Sequence, residues 1–258
     1  NATEMAANYL ADPTEEAILH YVNADALRTP TLTMFSKPDY FWQTGPSTCA
    51  GGQCVTINPG FAYDHGAYAA EIDTNYLGVV GPGVAHLGLD GTAAPNGPNS
   101  AGANSGNVTV PGSGTTGTWA DETDTRPTLM YLTGLKDDYV HDGTVISDVV
   151  ATPDAALSAP GVSALSACYK QLNSSVGVFG TETLKADTAA IESTSTNDAT
   201  YTSALAQLQS LESARDGLAI TIKGQLDAAA FHNTKVPNVA AETAQCNGLL
   251  SQAQALGG

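Results

Sequence analysis

Basic residues are scarce in this sequence. Only 9 lysines and arginines stand against 26 aspartates and glutamates in 258 residues, which gives a formal net charge of −17 at pH 7. A surface of this kind repels nucleic-acid phosphates and anionic lipid headgroups and attracts cations. The composition therefore argues against nucleic-acid scaffold binding and is compatible with divalent metal binding.

Long hydrophobic runs are also missing. No run of about 18 apolar residues occurs, so we predict no membrane span. The hydrophobic content of 42% is nevertheless ordinary for a protein with a buried core. The chain opens with NATEMAANYL, without an initiator methionine or a signal peptide. We interpret it as a processed product of a longer precursor.

Cysteines are few, and their even number predicts disulfides. Cys49 and Cys54 enclose the loop AGGQ and are predicted to form a local bridge. A zinc site is the rival interpretation, although one CxxxxC pair without a second nearby pair is weak support for it. By elimination Cys168 pairs with Cys246. Such bridges indicate an oxidising, extracellular location.

The first 150 residues have the pattern of an α/β domain. Short apolar runs bounded by proline, glycine or aspartate predict strands at 29–35, 60–64 and 76–83. A helix is predicted over 13–24, with Pro13 in its first turn. Strands that alternate with helices predict an α/β layer structure over residues 1–150.

Two segments interrupt this pattern. Residues 91–118 are rich in glycine, serine, asparagine and threonine and offer almost nothing to bury. A loop of this length is usually functional or disordered, and we favour a solvated, flexible insertion over a lid. Residues 151–160 are a linker to a region of helical composition.

Residues 161–258 are predicted to form an α-helical hairpin or small bundle. Apolar residues recur at spacings of three and four from Tyr201 to Ala229, with a charged break at Arg215, which predicts one long amphipathic helix. Its predicted neighbours cover 162–172 and 239–256. Each carries a cysteine on its apolar face, so the predicted Cys168–Cys246 bridge would join the two.

Two short stretches carry candidate chemistry. In FAYDHG, Asp64 and His65 precede a glycine, and a carboxylate beside an imidazole suits a zinc ion. The same three residues also form a common turn. In WADETDTRPT, a helix is predicted to begin, and Asp124 or Thr125 is explained as its N-cap. It leaves Asp121 and Glu122 without an explanation.

Together these stretches resemble a known family. FAYDHG, YLGVVGPGV and WADETDTRPTLMYLTGLKDDYVHDGTVI resemble the C-terminal half of the alkaline phosphatase superfamily, in particular secreted actinobacterial phosphodiesterase-like members. The helical tail, with YKQLNSSVGVFGTETLK, is part of the resemblance. It implies the C-terminal part of an alkaline-phosphatase-like sheet domain followed by helices. It also implies phosphate-ester hydrolysis with two divalent metal ions, usually zinc.

The resemblance assigns metal ligands by position. Asp64 and His65 match the family's Asp-His pair, while Glu122 falls where the family pattern has a histidine. Glutamate can bind zinc but alters charge and geometry, which puts the second metal in doubt. His86 and His141 are the nearest other imidazoles, and both are expected at the surface. The family's nucleophile lies in the N-terminal half, so no catalytic nucleophile is identifiable in this chain.

Two functional hypotheses follow. In the first, the chain belongs to an extracellular metal-dependent phosphoesterase whose nucleophile comes from an N-terminal fragment of the same precursor. In the second, it is a non-catalytic structural or assembly protein derived from such a precursor. Unpaired sheet edges would then recruit another chain or a second copy. Loss of the family histidine at Glu122 favours the second hypothesis.

Overall fold

The computed structural model describes residues 9–22, 25–36, 40, 60, 65, 77–86 and 120–258. Most of these residues lie in helices. Within the described ranges the sheet is a single antiparallel pair, β1 (Tyr9–Ala11) and β2 (Thr33–Phe35), in which Tyr9 lies opposite Phe35. The predicted α/β sheet domain is therefore wrong.

The predicted strands fail for local reasons. Of the strand expected over 29–35, only the last three residues pair. The expected strand at 76–83 does not form in its described part, where Leu77 is 51% and Val80 is 98% exposed. Gly83 has a φ of +81°, outside the extended region. These apolar residues gain no burial, so nothing stabilises a strand. Residues 61–64 lie outside the described ranges.

Helices α1 and α2 are short. Helix α1 (Pro13–Ile18) is capped by Asp12, and α2 (Thr125–Leu132) follows a 3₁₀ turn at Glu122–Asp124. The four longer helices are α3 (Val162–Asn173), α4 (Val178–Ile191), α5 (Ala199–His232) and α6 (Val239–Gly257). Further 3₁₀ turns lie at Ser147–Val149 and Thr196–Asp198.

Helices α3 to α6 pack against one another and enclose the main core. Its fully buried members include Leu165, Leu172, Phe179, Leu208 and Ile222. Burying one such side chain contributes about 1.5–3 kcal/mol. Because α3, α4, α5 and α6 each supply at least one buried residue to this cluster, the core depends on all four helices.

Helix α5 runs without interruption for 34 residues. The predicted charged break at Arg215 is wrong, because this side chain is only 2% exposed and lies on the buried stripe between Leu211 and Ala219. Its Nη1 donates to the backbone carbonyl of Ile18 at 3.0 Å, and its guanidinium lies 5.5 Å from the centre of the Phe179 ring. A long alkyl stem lets arginine occupy an apolar stripe.

The predicted disulfide between Cys168 and Cys246 is confirmed. Its Cα atoms are 6.2 Å apart, within the usual range for a bridge. It joins α3 to α6. Cys49 and Cys54 lie outside the described residues, so their pairing stays a prediction.

The start of the chain packs on the helices. Strand β1 contacts α4, and α1 contacts both α4 and α5. We refer to residues 9–19 as the N-terminal segment. Its hydrogen bonds to α4 span more than 160 residues of sequence. The N-terminal segment therefore lies in contact with helices that follow the predicted linker at residues 151–160. None of the described helices is long and apolar enough to cross a bilayer.

Candidate functional site

The acidic turn, residues 121–124, is closed by reciprocal capping. The Asp121 carboxylate accepts from the Thr123 backbone N–H at 3.0 Å, and the Asp121 N–H donates to Asp124 Oδ2 at 3.0 Å. Asp124 was a predicted cap of the following helix, but its side chain makes no capping bond to α2. The reason is that the 3₁₀ turn precedes α2, so the exposed N–H groups lie earlier, at the acidic turn itself.

A buried lysine pairs with one carboxylate of the acidic turn. Lys170 of α3 places its Nζ 2.9 Å from Asp124 Oδ2, and the two side chains are only 5% and 2% exposed. Asp124 Oδ1 accepts from the Thr144 N–H at 2.7 Å. A buried ion pair offsets its desolvation only when further hydrogen bonds complete it, as they do here. The ion-pair partner of Asp124 is therefore the protein's own lysine.

A small polar cleft of about 100 Å³ lies beside this pair. It opens between the acidic turn, the loop around Asp142 and the C-terminal end of α3. Its lining is formed by His20, Asp121, Thr123, Asp124, Asp142, Tyr169, Lys170, Asn173, Ser174 and Ser175. Three carboxyl groups face one lysine and one imidazole, so the cleft is acidic overall.

His20 lines one wall of the polar cleft. Its backbone has a left-handed conformation, with a φ of +63°. Its Nε2 lies 2.8 Å from the carbonyl of Asn173, a distance that suits donation from an N–H. Its Nδ1 lies 3.8 Å from Asp142 Oδ2. Left-handed non-glycine residues cost of order 1–3 kcal/mol and persist where surrounding contacts fix them.

Tyr169 and Asn173 form the floor of the polar cleft. The Tyr169 hydroxyl donates to the Asp142 carbonyl at 2.8 Å and accepts from Asn173 Nδ2 at 3.1 Å. Burial and the nearby Asp142 charge raise the pKa of Tyr169 well above its usual range. The hydroxyl therefore stays protonated at physiological pH and acts as a fixed donor.

Ser174 connects the polar cleft to the acidic turn, because its hydroxyl donates to Asp121 Oδ2 at 2.6 Å. The Asp121 carboxylate is thus bound by Thr123 and Ser174, and the Asp124 carboxylate by Lys170 and Thr144. Such contacts stabilise a turn and fix its position on a helix. Neither carboxylate needs a metal ion to account for its place.

The structure describes only part of the predicted metal site. Glu122 is exposed on the acidic turn, and His65 is exposed as well. Asp64 lies outside the described residues, so its role stays a prediction. Among the residues that the structure describes, no group of three His, Cys, Asp or Glu side chains is placed to hold a metal ion.

His141, one of the alternative imidazoles, does not lie at the surface as expected. Its side chain is 11% exposed, and its Nε2 lies 3.0 Å from Asp137 Oδ2. The Arg126 guanidinium also binds Asp137, at 2.8 Å, and its hydrogen bonds hold the pKa of this carboxyl below its usual range. The three side chains brace the loop after α2. His86 is exposed, as expected.

Sequence reasoning missed Lys170 and His20. Lys170 follows Cys168 and Tyr169 on a helix whose apolar face is predicted, and a basic residue beside that face in so acidic a chain was the available signal. For His20 no comparable signal exists, because its partners Asn173 and Asp142 are more than 100 residues away.

Comparison with known proteins places the chain in no family. No family model, no curated protein and no solved structure matches it.

Proposed function

We propose that this chain is a non-catalytic structural or assembly module of an extracellular protein. The observation that carries the proposal is the buried Asp124–Lys170 pair. The stretch that most resembles a metal-binding turn of a phosphoesterase directs its Asp124 carboxylate at the protein's own lysine. Its acids therefore serve to join the turn to α3.

The organisation of the helices supports the same proposal. A disulfide ties α3 to α6, and the N-terminal segment packs across α4 and α5. A bundle whose first and last long helices are joined by a disulfide, and whose middle helices are covered by the N-terminal segment, is suited to hold a fixed shape. The disulfide also supports an extracellular location, because such bridges persist in oxidising compartments.

The alternative is that the chain contributes part of a two-metal phosphoesterase. It rests on the sequence resemblance around Asp64, His65 and Glu122. In that case two zinc ions would act on a phosphate ester, and an N-terminal fragment of the precursor would supply the nucleophile. Two metal ions in such a site clamp the phosphoryl group and activate the nucleophile.

One set of measurements separates the two functions. Native mass spectrometry of the purified protein gives its stoichiometry, and elemental analysis of the same sample gives its zinc content. Hydrolysis of p-nitrophenyl phosphate and of its bis ester is then measured with added zinc. We expect no retained zinc, no hydrolysis, and assembly with a second copy or another chain.

The matched variants are Asp64→Ala and Asp138→Ala, the latter removing an exposed carboxylate. In the structural proposal both variants assemble as the wild type does. Close to two zinc ions per complex, with hydrolysis lost in Asp64→Ala and kept in Asp138→Ala, would overturn it in favour of the phosphoesterase. A single species that never assembles would also count against it.

A further inference from the structure

The N-terminal segment is held on the bundle through buried carboxyl groups. Asp12 is an acceptor on both oxygens. Its Oδ1 receives the backbone N–H groups of Thr14 and Glu15 at 2.8 and 2.9 Å, and its Oδ2 receives the Tyr201 hydroxyl at 2.6 Å. Both Asp12 oxygens are therefore used as acceptors, since every contact is a donor.

Asp187 lies beside it on α4 and is fully buried. Its Oδ2 accepts from the Asp12 backbone N–H at 3.0 Å, while its Oδ1 has no hydrogen-bond partner. Glu15 repeats the arrangement. Its Oε1 accepts from the Thr183 hydroxyl at 3.0 Å and its Oε2 has no partner, again with full burial. A buried carboxylate with an unpartnered oxygen is costly when ionised.

Little positive charge offsets these acids. The charge of Arg215 acts against the rise in the pKa of Glu15, but its Nε lies 2.7 Å from Asp216 Oδ1 and its Nη1 donates to the Ile18 carbonyl. The other titratable or charged groups near the cluster on β1, α1, the turn after it, α4 and α5 are Tyr9, Glu16, His20, Tyr201 and Glu212, with the Glu182–Lys185 ion pair acting on Tyr9. Most of these are acidic or neutral.

We propose that this cluster is a proton-dependent clamp. Asp187 and Glu15 carry protons while the N-terminal segment is docked on α4 and α5, and the segment is released when they ionise. The segment includes β1 and α1, so its release would expose the α4 and α5 surfaces beneath it. The clamp makes docking a function of pH without a ligand.

The direction of the pH dependence follows from burial. Desolvation raises the pKa of Asp187 from 3.8 to about 7, and it raises the pKa of Glu15 well above its usual range. A carboxyl whose pKa is raised on docking binds more protons in the docked state. The Asp187 contribution to docking is therefore fully present below pH 3.8 and weakens as the pH rises, until it is exhausted at about pH 7.

Amide hydrogen exchange of the intact, oxidised protein tests the clamp. Exchange is measured from pH 5 to pH 8 and corrected for the intrinsic pH dependence of the exchange rate. We expect the protection of residues 9–19 to fall as the pH rises to about 7, by about tenfold per pH unit where one carboxyl titrates and by up to about a hundredfold where both do, since two protons separate the two states. Protection in α6 should stay constant. A flat profile in residues 9–19, or an equal fall in α6, would overturn the proposal.

Asp187→Asn imitates the protonated carboxyl, because the amide is uncharged and its oxygen can still accept from Asp12. We expect its protection in residues 9–19 to fall less steeply from pH 5 to pH 8 than in the wild type, because only Glu15 of the two carboxyls still titrates. Asp138→Asn removes an exposed carboxylate and should behave as the wild type does. Glu15→Gln is the second variant should Asp187→Asn fail to fold. If protection still falls with pH as steeply as in the wild type in both Asp187→Asn and Glu15→Gln, the clamp is refuted.

Discussion

Replacing Lys170 by methionine removes the cation that pairs with Asp124 in the acidic turn, while it preserves much of the side chain's volume. Asp124 would keep its hydrogen bonds from the N–H groups of Asp121 and Thr144 but would lose its ion-pair partner. Removing one member of a buried pair costs about 3–5 kcal/mol. Because two donors remain on Asp124, we expect a loss near the lower end, about 3 kcal/mol.

Such a loss is large for a folded protein. It changes the unfolding equilibrium by more than about 100-fold, since about 1.4 kcal/mol corresponds to tenfold. Urea denaturation followed by far-ultraviolet circular dichroism measures it. With an m-value of about 2 kcal/mol/M, the midpoint should fall by about 1.5 M. Lys136→Met is the matched control, because Lys136 is exposed and its loss should change the midpoint little.

A double-mutant cycle decides whether the pair itself is responsible. Asp124→Asn alone leaves Lys170 buried without its carboxylate, so it should also destabilise the fold by about 3 kcal/mol or more. The double variant should lose less than the sum of the two single losses, by about 2 kcal/mol. A Lys170→Met loss below about 1 kcal/mol, or strictly additive losses, would refute the claim that this pair joins the acidic turn to α3.

Three further outcomes are expected from the same unfolding assay. The double variant Cys168→Ser, Cys246→Ser should lose up to about 4.5 kcal/mol of unfolding free energy, because the bridge no longer restricts the entropy of a 78-residue loop in the unfolded chain. An unchanged midpoint would show that the bundle does not need the bridge. Gly143→Ala should lose about 1–3 kcal/mol or more of unfolding free energy, because its Cβ would collide with the backbone of the acidic turn. Gly224→Ala has open space around its Cβ in α5 and should gain about 0.5–1 kcal/mol. The melting temperature should fall as the pH rises from 4 to 7, because burial raises the pKa of Asp187, and Asp187→Asn should lessen that fall; an unchanged slope in that variant would contradict the assignment.

The helical half of the fold could be predicted because its signals are local. Three- and four-residue spacing of apolar side chains marked α3, α5 and α6, and the cysteines on two of those faces predicted the bridge. Arg215 was misread because a charge in a periodic pattern normally lies at the surface. Here a partner from the N-terminal segment, the Ile18 carbonyl, makes its burial favourable.

The sheet and the site could not be predicted in the same way. Apolar runs of four to eight residues are ambiguous, and at Leu77 and Val80 no neighbouring element among the described residues provides the burial that a strand requires. From the sequence, Asp121 had no explanation and Glu122 was assigned to a metal site. That Asp124 pairs with Lys170, 46 residues further along the chain, depends on tertiary packing that no local pattern contains.

The bridge between Cys168 and Cys246 links two points of the chain that are 78 residues apart in sequence. Helices α4 and α5, with the connections between them, lie inside a closed ring of peptide and disulfide bonds. Tension applied along the chain would pass from α3 to α6 through the sulfurs and would not pull α4 and α5 apart. A single proteolytic cut inside the ring would likewise leave one molecule, whose two pieces separate only after the bridge is reduced.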